Sequence, residues 1–333
     1  MSYLISNFFR KAESHQFPLS PASTCIYEDY VKSKSVTAYD FLNMSNEREL
    51  LSTEYDANID TYINHLKLLL RTHKNHKYME EHNPLVFEWN YDGKKYSSTS
   101  LFFEYYMTHV FNITRDISKS LIDADADKAF FTKTKESIAH LVKLLPHWTT
   151  KDKIEPFRPA IVNVDFLKSL VYFTHATQAL TIANKAQSSA AIAFHSASHF
   201  YGKVWFRLPT YGSIALQRHM LCKALSLHAM ASKIEENEEN AEKLYSLYQE
   251  TKGLLEKVNY EQAFVPDSIR KDNAFLQELG TNINSLLNVY YVTGSCNIND
   301  HLEKPRIIPL KVCPKLNKFG CKCKNDKVEE NKN

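Results

Sequence analysis

Apolar residues along most of this chain recur at gaps of three and four, the period of an amphipathic helix. The pattern is dense between Phe166 and Val258. One helix there carries Ala176, Ala179, Ala183 and Ala186; after the polar break Gln187-Ser188-Ser189, a second carries Ala190, Ala193 and Ala197. Small side chains on one stripe of each helix let two backbones approach closely. This stretch is therefore read as a rigid stack of helices that curves into a concave surface for another protein. Helical period begins near Tyr39 and runs through Ile59, Tyr62, Leu66 and Leu70.

One segment breaks the helical pattern. Val86, Glu88 and Asn90 alternate with Phe87, Trp89 and Tyr91, and Asp92-Gly93 supplies the residues of a tight hairpin turn. This is the β element the sequence predicts. Ser98 or Ser100 then caps a helix through Phe103, Tyr106, Val110 and Ile117, which Asp123 to Asp127 interrupts. Further helices are expected from Asp127 to Leu145 and from near Asn163 or Asp165. Pro209 to Gly212 are expected to separate a helix ending near Phe206 from one over Ser213 to Lys233. The acidic run Glu235 to Glu239 reads as a solvated turn leading into a helix that continues to about Val258. A last helix is expected over Ile269 to Val292. Residues 1–36, with Pro18 and Pro21, read as an irregular segment packed on a helical domain spanning 1–304. Residues 305–333 read as a basic, Cys-containing, disordered tail.

Composition narrows the class. Seven Gly and 11 Pro in 333 residues disfavour an all-β barrel or a glycine-looped nucleotide fold, and no phosphate-cradling loop occurs. The 41 basic and 38 acidic residues leave +3, too even a balance to call for nucleic acid. No apolar run reaches the length of a membrane span, and Arg10 and Lys11 follow the apolar N-terminus rather than precede it, unlike a secretory signal. Six scattered cysteines are expected to be free thiols in a reducing compartment. His195 and His199 have the spacing of a helical metal pair, but Ser196 follows His195 where a zinc hydrolase has glutamate, and no third ligand is evident. Asp123, Asp125 and Asp127 start like a calcium loop, yet Lys128 stands where that loop needs Gly. No nucleophile can be matched to a base. The expectation is a non-enzymatic binding protein without metal, cofactor or small-molecule substrate.

The order of segments resembles the Bro-one domain of Alix-type endosomal sorting proteins, and most closely the Brox type, which consists almost only of that domain. The segments are the aromatic hairpin, Phe111-Asn112-Ile113, Ala176-Thr-Gln-Ala-Leu-Thr-Ile-Ala-Asn-Lys-Ala186, Ala197-Ser-His-Phe-Tyr-Gly-Lys-Val-Trp205 and Arg218-His-Met-Leu-Cys-Lys-Ala224. The closing helix is Phe275-Leu-Gln-Glu-Leu-Gly-Thr-Asn-Ile-Asn-Ser-Leu-Leu287. The resemblance covers residues 40 to 305. It implies a mainly α, banana-shaped domain with a tetratricopeptide-like solenoid core and a small β-hairpin or sheet. It also implies an ESCRT-associated adaptor in endosomal sorting, whose concave hydrophobic groove takes the C-terminal amphipathic helix of a Snf-type ESCRT-III subunit.

Groove positions transfer to Trp205, Tyr211 and Ala215, with Ile214 and Leu216 beside them; Ala215 stands where the family has leucine. A helical scaffold for another peptide, cytoskeletal or from the nuclear envelope, is the alternative. Brox-type members end in a prenylation box, whereas this chain reads Glu329-Glu-Asn-Lys-Asn333. Cys313, Cys321 and Cys323, set among lysines, are candidates for acylation, for an irregularly spaced zinc site, or for a plain basic tail. The resemblance implies a cytoplasmic protein, peripheral on endosomal or nuclear-envelope membranes.

Overall fold

The structure, a computed structural model, describes residues 19–21, 25–26, 43–44, 46–51, 55–72, 85–122, 128–145, 159–185, 189–204, 209–259 and 274–292. The chain is mainly helical. Its elements are β1 (Leu19–Pro21), β2 (Cys25–Ile26), α1 (Tyr55–Thr72), β3 (Leu85–Tyr91), β4 (Lys94–Ser98), α2 (Leu101–Ile122), α3 (Lys128–Leu144) and α4 (Val164–Lys185). They continue with α5 (Ala190–Val204), α6 (Pro209–Ala231), α7 (Ala241–Leu255) and α8 (Ala274–Tyr290). Two compact units divide them: 19–116 with 136–167, and 117–135 with 168–292.

In the first unit the hairpin forms as its alternation dictates. Phe87, Trp89 and Tyr91 are buried while Asn90 is exposed, and β3 pairs β4 with Phe87 opposite Ser98 and Tyr91 opposite Lys94. Asp92 and Gly93 both take positive φ, 51° and 71°, as a two-residue hairpin turn matched to strand twist requires. The sheet is larger than the hairpin. β1 pairs antiparallel with β3 (Leu19 opposite Tyr91), and β2 pairs with it further along (Cys25 opposite Val86). Part of the segment read as irregular is thus strand. Pieces of three and two residues, one ending in proline, are too short to alternate; the β3 edge recruits them.

Glu104, in the first turn of α2, is the unit's polar centre. It is fully buried and accepts hydrogen bonds from Arg48 Nε and Tyr62 OH on Oε1, and from Trp89 Nε1 on Oε2, each at 2.7 Å. Arg48 Nη2 also donates to the Glu88 carbonyl, tying helical residues 46–51 to β3. Burial pushes the Tyr62 hydroxyl well above its ordinary pKa, and the Glu104 charge adds to the shift. Ser100 caps α2 by accepting from Phe103 N, and Asn163 caps α4 by accepting from Phe166 N at 2.7 Å.

The second unit is a succession of packed helices. Ala176, Ala179 and Ala183 on α4 and Ala190, Ala193 and Ala197 on α5 are buried, as the alanine stripes imply; Ala186 lies outside the described residues. The hydroxyls of α4 turn back on the helix itself: Thr174 donates to the Leu170 carbonyl, Thr177 to Phe173 and Thr181 to Thr177. α6 begins at Pro209, not Ser213, so Pro209 to Gly212 form its first turn instead of a separating loop. Proline is favoured there because its missing N–H would have no partner in a first turn anyway. The acidic run leads into a 3₁₀ turn, Glu238–Asn240, capped by Asn237. Leu227, Ala231, Leu244, Leu247, Ile283 and Leu286 then bring α6, α7 and α8 into one core.

Candidate peptide-binding face

The second unit contains a face on which three consecutive helices present aligned side chains. α4 and α5 run antiparallel, with Phe173 against Tyr201 (ring centroids 5.4 Å), His175 against Phe200 (5.6 Å) and Lys203 Nζ over the Tyr172 ring (5.6 Å). α5 and α6 are also antiparallel: Ser226 Oγ donates to the Ala191 carbonyl, Arg218 Nη1 to Tyr201 OH, and the His219 ring sits on Ser198. Gly202 makes the close approach possible, since a Cβ there would stand 3.1 Å from His219 Nδ1.

With this register fixed, the partly or fully exposed positions form stripes. On α5 they are Ile192, His195, His199 and Lys203, at gaps of three, four and four; on α6 they include Leu216, Met220 and Lys223. The α4 side supplies Tyr172, Gln178 and Ile182. One polar row crosses the helices. Lys135 Nζ donates to Gln178 Oε1 at 3.1 Å, His195 follows in register, and Lys223 pairs with Glu250 at 3.0 Å. Burial first, then the Lys223 charge, lowers the His195 pKa. Ile182 and Ile192, 37% and 40% exposed, mark the apolar end of the face.

The residues singled out from sequence fall unevenly. Ile214 and Ala215 are buried in the packing of α6, at 2% and 0% exposure, while Leu216 next to them is half-exposed on the stripe. Tyr211 lies in the first turn of α6, but its side chain is outside what the structure describes; Trp205, Cys313, Cys321 and Cys323 lie outside the described residues altogether. His195 and His199 share one face of α5, where His199 packs edge-on to Phe200 and the Lys223 charge disfavours protonation of His195. No cluster of three metal-ligating side chains occurs among the described residues. Lys203 and Lys223 were missed, because a lysine on a helix surface carries no signal until the neighbouring helix is in register. Among the described residues, no helix is long and apolar enough to cross a membrane.

No known family's sequence pattern matches the chain, and no curated protein matches it in sequence. Solved structures do. A Bro1 domain solved as the structural basis for endosomal targeting aligns with TM-score 0.59 and 12% identity over 93% of this chain and 95% of its own. The ALIX BRO1–CHMP4C complex gives 0.64 and 11%, over 90% of this chain and 94% of that one. ALIX in complex with the SIVmac239 PYKEVTEDL late domain gives 0.60 and 12%, over 91% of this chain and 50% of that longer one. The chain therefore has the fold of a Bro1 domain.

Proposed function

We propose that this chain is a non-enzymatic adaptor that binds the C-terminal amphipathic helix of a Snf-type ESCRT-III subunit, in endosomal sorting or membrane remodelling, with its peripheral association to membranes made through partners or the tail. The observation carrying this reading is the fold likeness over 90% of the chain to ALIX BRO1, a domain solved in complex with CHMP4C. The aligned stripes on α5 and α6 support it. Their three-and-four spacing suits a guest helix laid along them, with apolar anchors over Ile192, Leu216 and Met220 and polar flanks toward Lys203 and Lys223. Trp205 and Tyr211 adjoin that end of the face in sequence and complete the proposed anchor set; Ile214 and Ala215 contribute from beneath, by holding α6 in place.

The test is fluorescence anisotropy of the purified chain against that ESCRT-III helix as a synthetic peptide. Binding on the order of 10 μM, or tighter, is expected. Leu216→Asp should lower affinity at least about tenfold with unchanged circular dichroism. A folded chain that ignores the peptide overturns the proposal. Burial of Ile214 and Ala215 favours a second reading, a scaffold for a different amphipathic peptide. That reading predicts competition at Lys203 and Leu216 by helices unrelated to ESCRT-III.

A further inference from the structure

Three rings of the first unit form a cluster in which a buried nitrogen lacks a hydrogen bond. Tyr105 and His109 stand one turn apart on α2, and His140 comes from α3. Their ring centroids lie 4.5 Å apart for Tyr105 and His109, 5.8 Å for Tyr105 and His140, and 5.6 Å for His109 and His140. Tyr105 OH and His140 Nε2 share a hydrogen bond at 2.9 Å. His109 Nε2, by contrast, is closed off from solvent and has no hydrogen-bond partner among the described residues. Folded proteins seldom strand a buried polar atom in this way, and an ion is one of the few things that satisfies it. Both histidines are only partly buried as whole residues, so the cluster lies near the surface. The charges that act on the two imidazoles are all positive. Burial, then His140 and Lys67, lowers the His109 pKa to about 3; burial, then Lys67 and Lys143, lowers that of His140. Lys143 follows His140 by one turn of α3, and Lys67, exposed on α1, has no ion pair among the described residues.

We propose that this cluster binds a phosphate group, with His109, His140, Tyr105 and Lys67 as its donors. A phosphate carries several acceptor oxygens and one to two negative charges, so it asks for several donors around one point. Imidazole N–H, phenol O–H and ammonium all donate. No described carboxylate bonds to His109, His140 or Lys67 and competes for them. The stranded His109 nitrogen gains the partner it lacks. The sign of the field decides between ligand classes. Neutral imidazoles also suit zinc, but lysine charges that disfavour a proton on either ring disfavour a divalent cation there as well. An anion reverses the effect, because it favours protonation, and a protonated ring donates from both nitrogens. The phosphate can be free in solution or the headgroup of a lipid; its chemistry at the rings is the same. The site belongs to the first unit and does not depend on the ESCRT-III reading, which concerns α4, α5 and α6 of the second.

Isothermal titration calorimetry of the full chain with inorganic phosphate, at neutral pH and fixed ionic strength, should give a Kd on the order of 1 mM or tighter. His109→Phe, which keeps a ring against Tyr105, and Lys67→Gln, at an exposed position, should each weaken binding at least about fivefold with unchanged circular dichroism. If His109→Phe fails to fold, Lys67→Gln carries the comparison. Nitrogen-15 spectra of the imidazoles should show phosphate moving the His109 and His140 signals and raising their pKa, with His175 and His195 unaffected. Phosphatidylcholine vesicles containing a phosphatidylinositol phosphate then separate the sources. If they move the same two signals, the phosphate is a lipid headgroup; if they do not while inorganic phosphate does, it is soluble. No phosphate binding, binding unchanged in the variants, or zinc binding in place of phosphate overturns the proposal.

Discussion

Arg48 Nε meets Glu104 Oε1 at 2.7 Å with both side chains shut away from solvent, at 2% and 0% exposure. Removing one partner strands the other's charge, which typically costs 3–5 kcal/mol, roughly, far more than the pair contributes over an apolar replacement. Glu104→Ala should thus destabilise the protein by about 3 kcal/mol or more and also leave Trp89 Nε1 and Tyr62 OH without their acceptor. Arg48→Met combined with Glu104→Leu should cost less than the two single changes added together. Urea denaturation of the four proteins measures the cycle.

Acid should weaken the fold through its interior histidines. Burial, reinforced by Lys135, lowers the His175 pKa to about 3; burial, then His140 and Lys67, lowers His109 to about 3. An unfolded histidine titrates near 6.5, so between these values the unfolded chain takes up protons that the folded chain refuses. The two rings therefore leave stability untouched above pH 6.5 and diminish it progressively as pH falls toward 3, by about 1 kcal/mol per unit each. Denaturation midpoints at pH 7.5, 6.0 and 5.0 should decline. His175→Phe, which keeps the aromatic contact with Phe200, should flatten the decline.

At Gly202, helix preference and close packing oppose one another. Alanine is favoured over glycine by about 1 kcal/mol within a helix. Here, however, its methyl would press on His219, 3.1 Å and 3.3 Å from two ring atoms, while the Ser198 carbonyl at 2.8 Å holds that ring. Gly202→Ala should lower the melting temperature, and adding His219→Ala should recover most of the loss. A stabilised Gly202→Ala single variant would mean the ring gives way freely.

Gly93 should resist substitution for a different reason. A Cβ there meets nothing within 4 Å, yet φ is 71°. Gly93→Ala should cost about 1 kcal/mol from the left-handed backbone alone. Gly93→Asn should cost less, because asparagine tolerates that region. Thermal melts of both variants separate conformational strain from crowding.

Much of the architecture was readable before the coordinates because periodicity and punctuation are local signals. The Asp92-Gly93 turn, the Ser100 and Asn163 caps and both alanine stripes needed no tertiary information. The Pro209 boundary was misplaced because proline both ends helices and starts them, and the sequence does not say which. β1 and β2 were hidden because the β3 edge, and not their own pattern, makes them strands. The fold resemblance was legible from segment order, but the face was less so. Ile214 and Ala215 differ from Leu216 by one or two positions on α6, and the phase of that helix against α5 decides which of them sees solvent. His195 and His199 were visible as a spacing; their neighbours Lys203 and Lys223 became meaningful only when three helices shared a register.

The self-contained hydroxyls of α4 bear on how such a scaffold persists. Thr174 and Thr181 donate to carbonyls of their own helix, so these bonds ask no neighbouring helix for a matching polar group, whereas Thr177 also meets Tyr201 OH on α5 at 3.3 Å. Beside Thr174 and Thr181 adjoining helices need only fill volume, a requirement many side-chain combinations can meet. Interiors built this way can exchange their residues gradually and keep their arrangement. That tolerance suits a chain which overlays ALIX BRO1 across most of its length while sharing about one residue in nine with it.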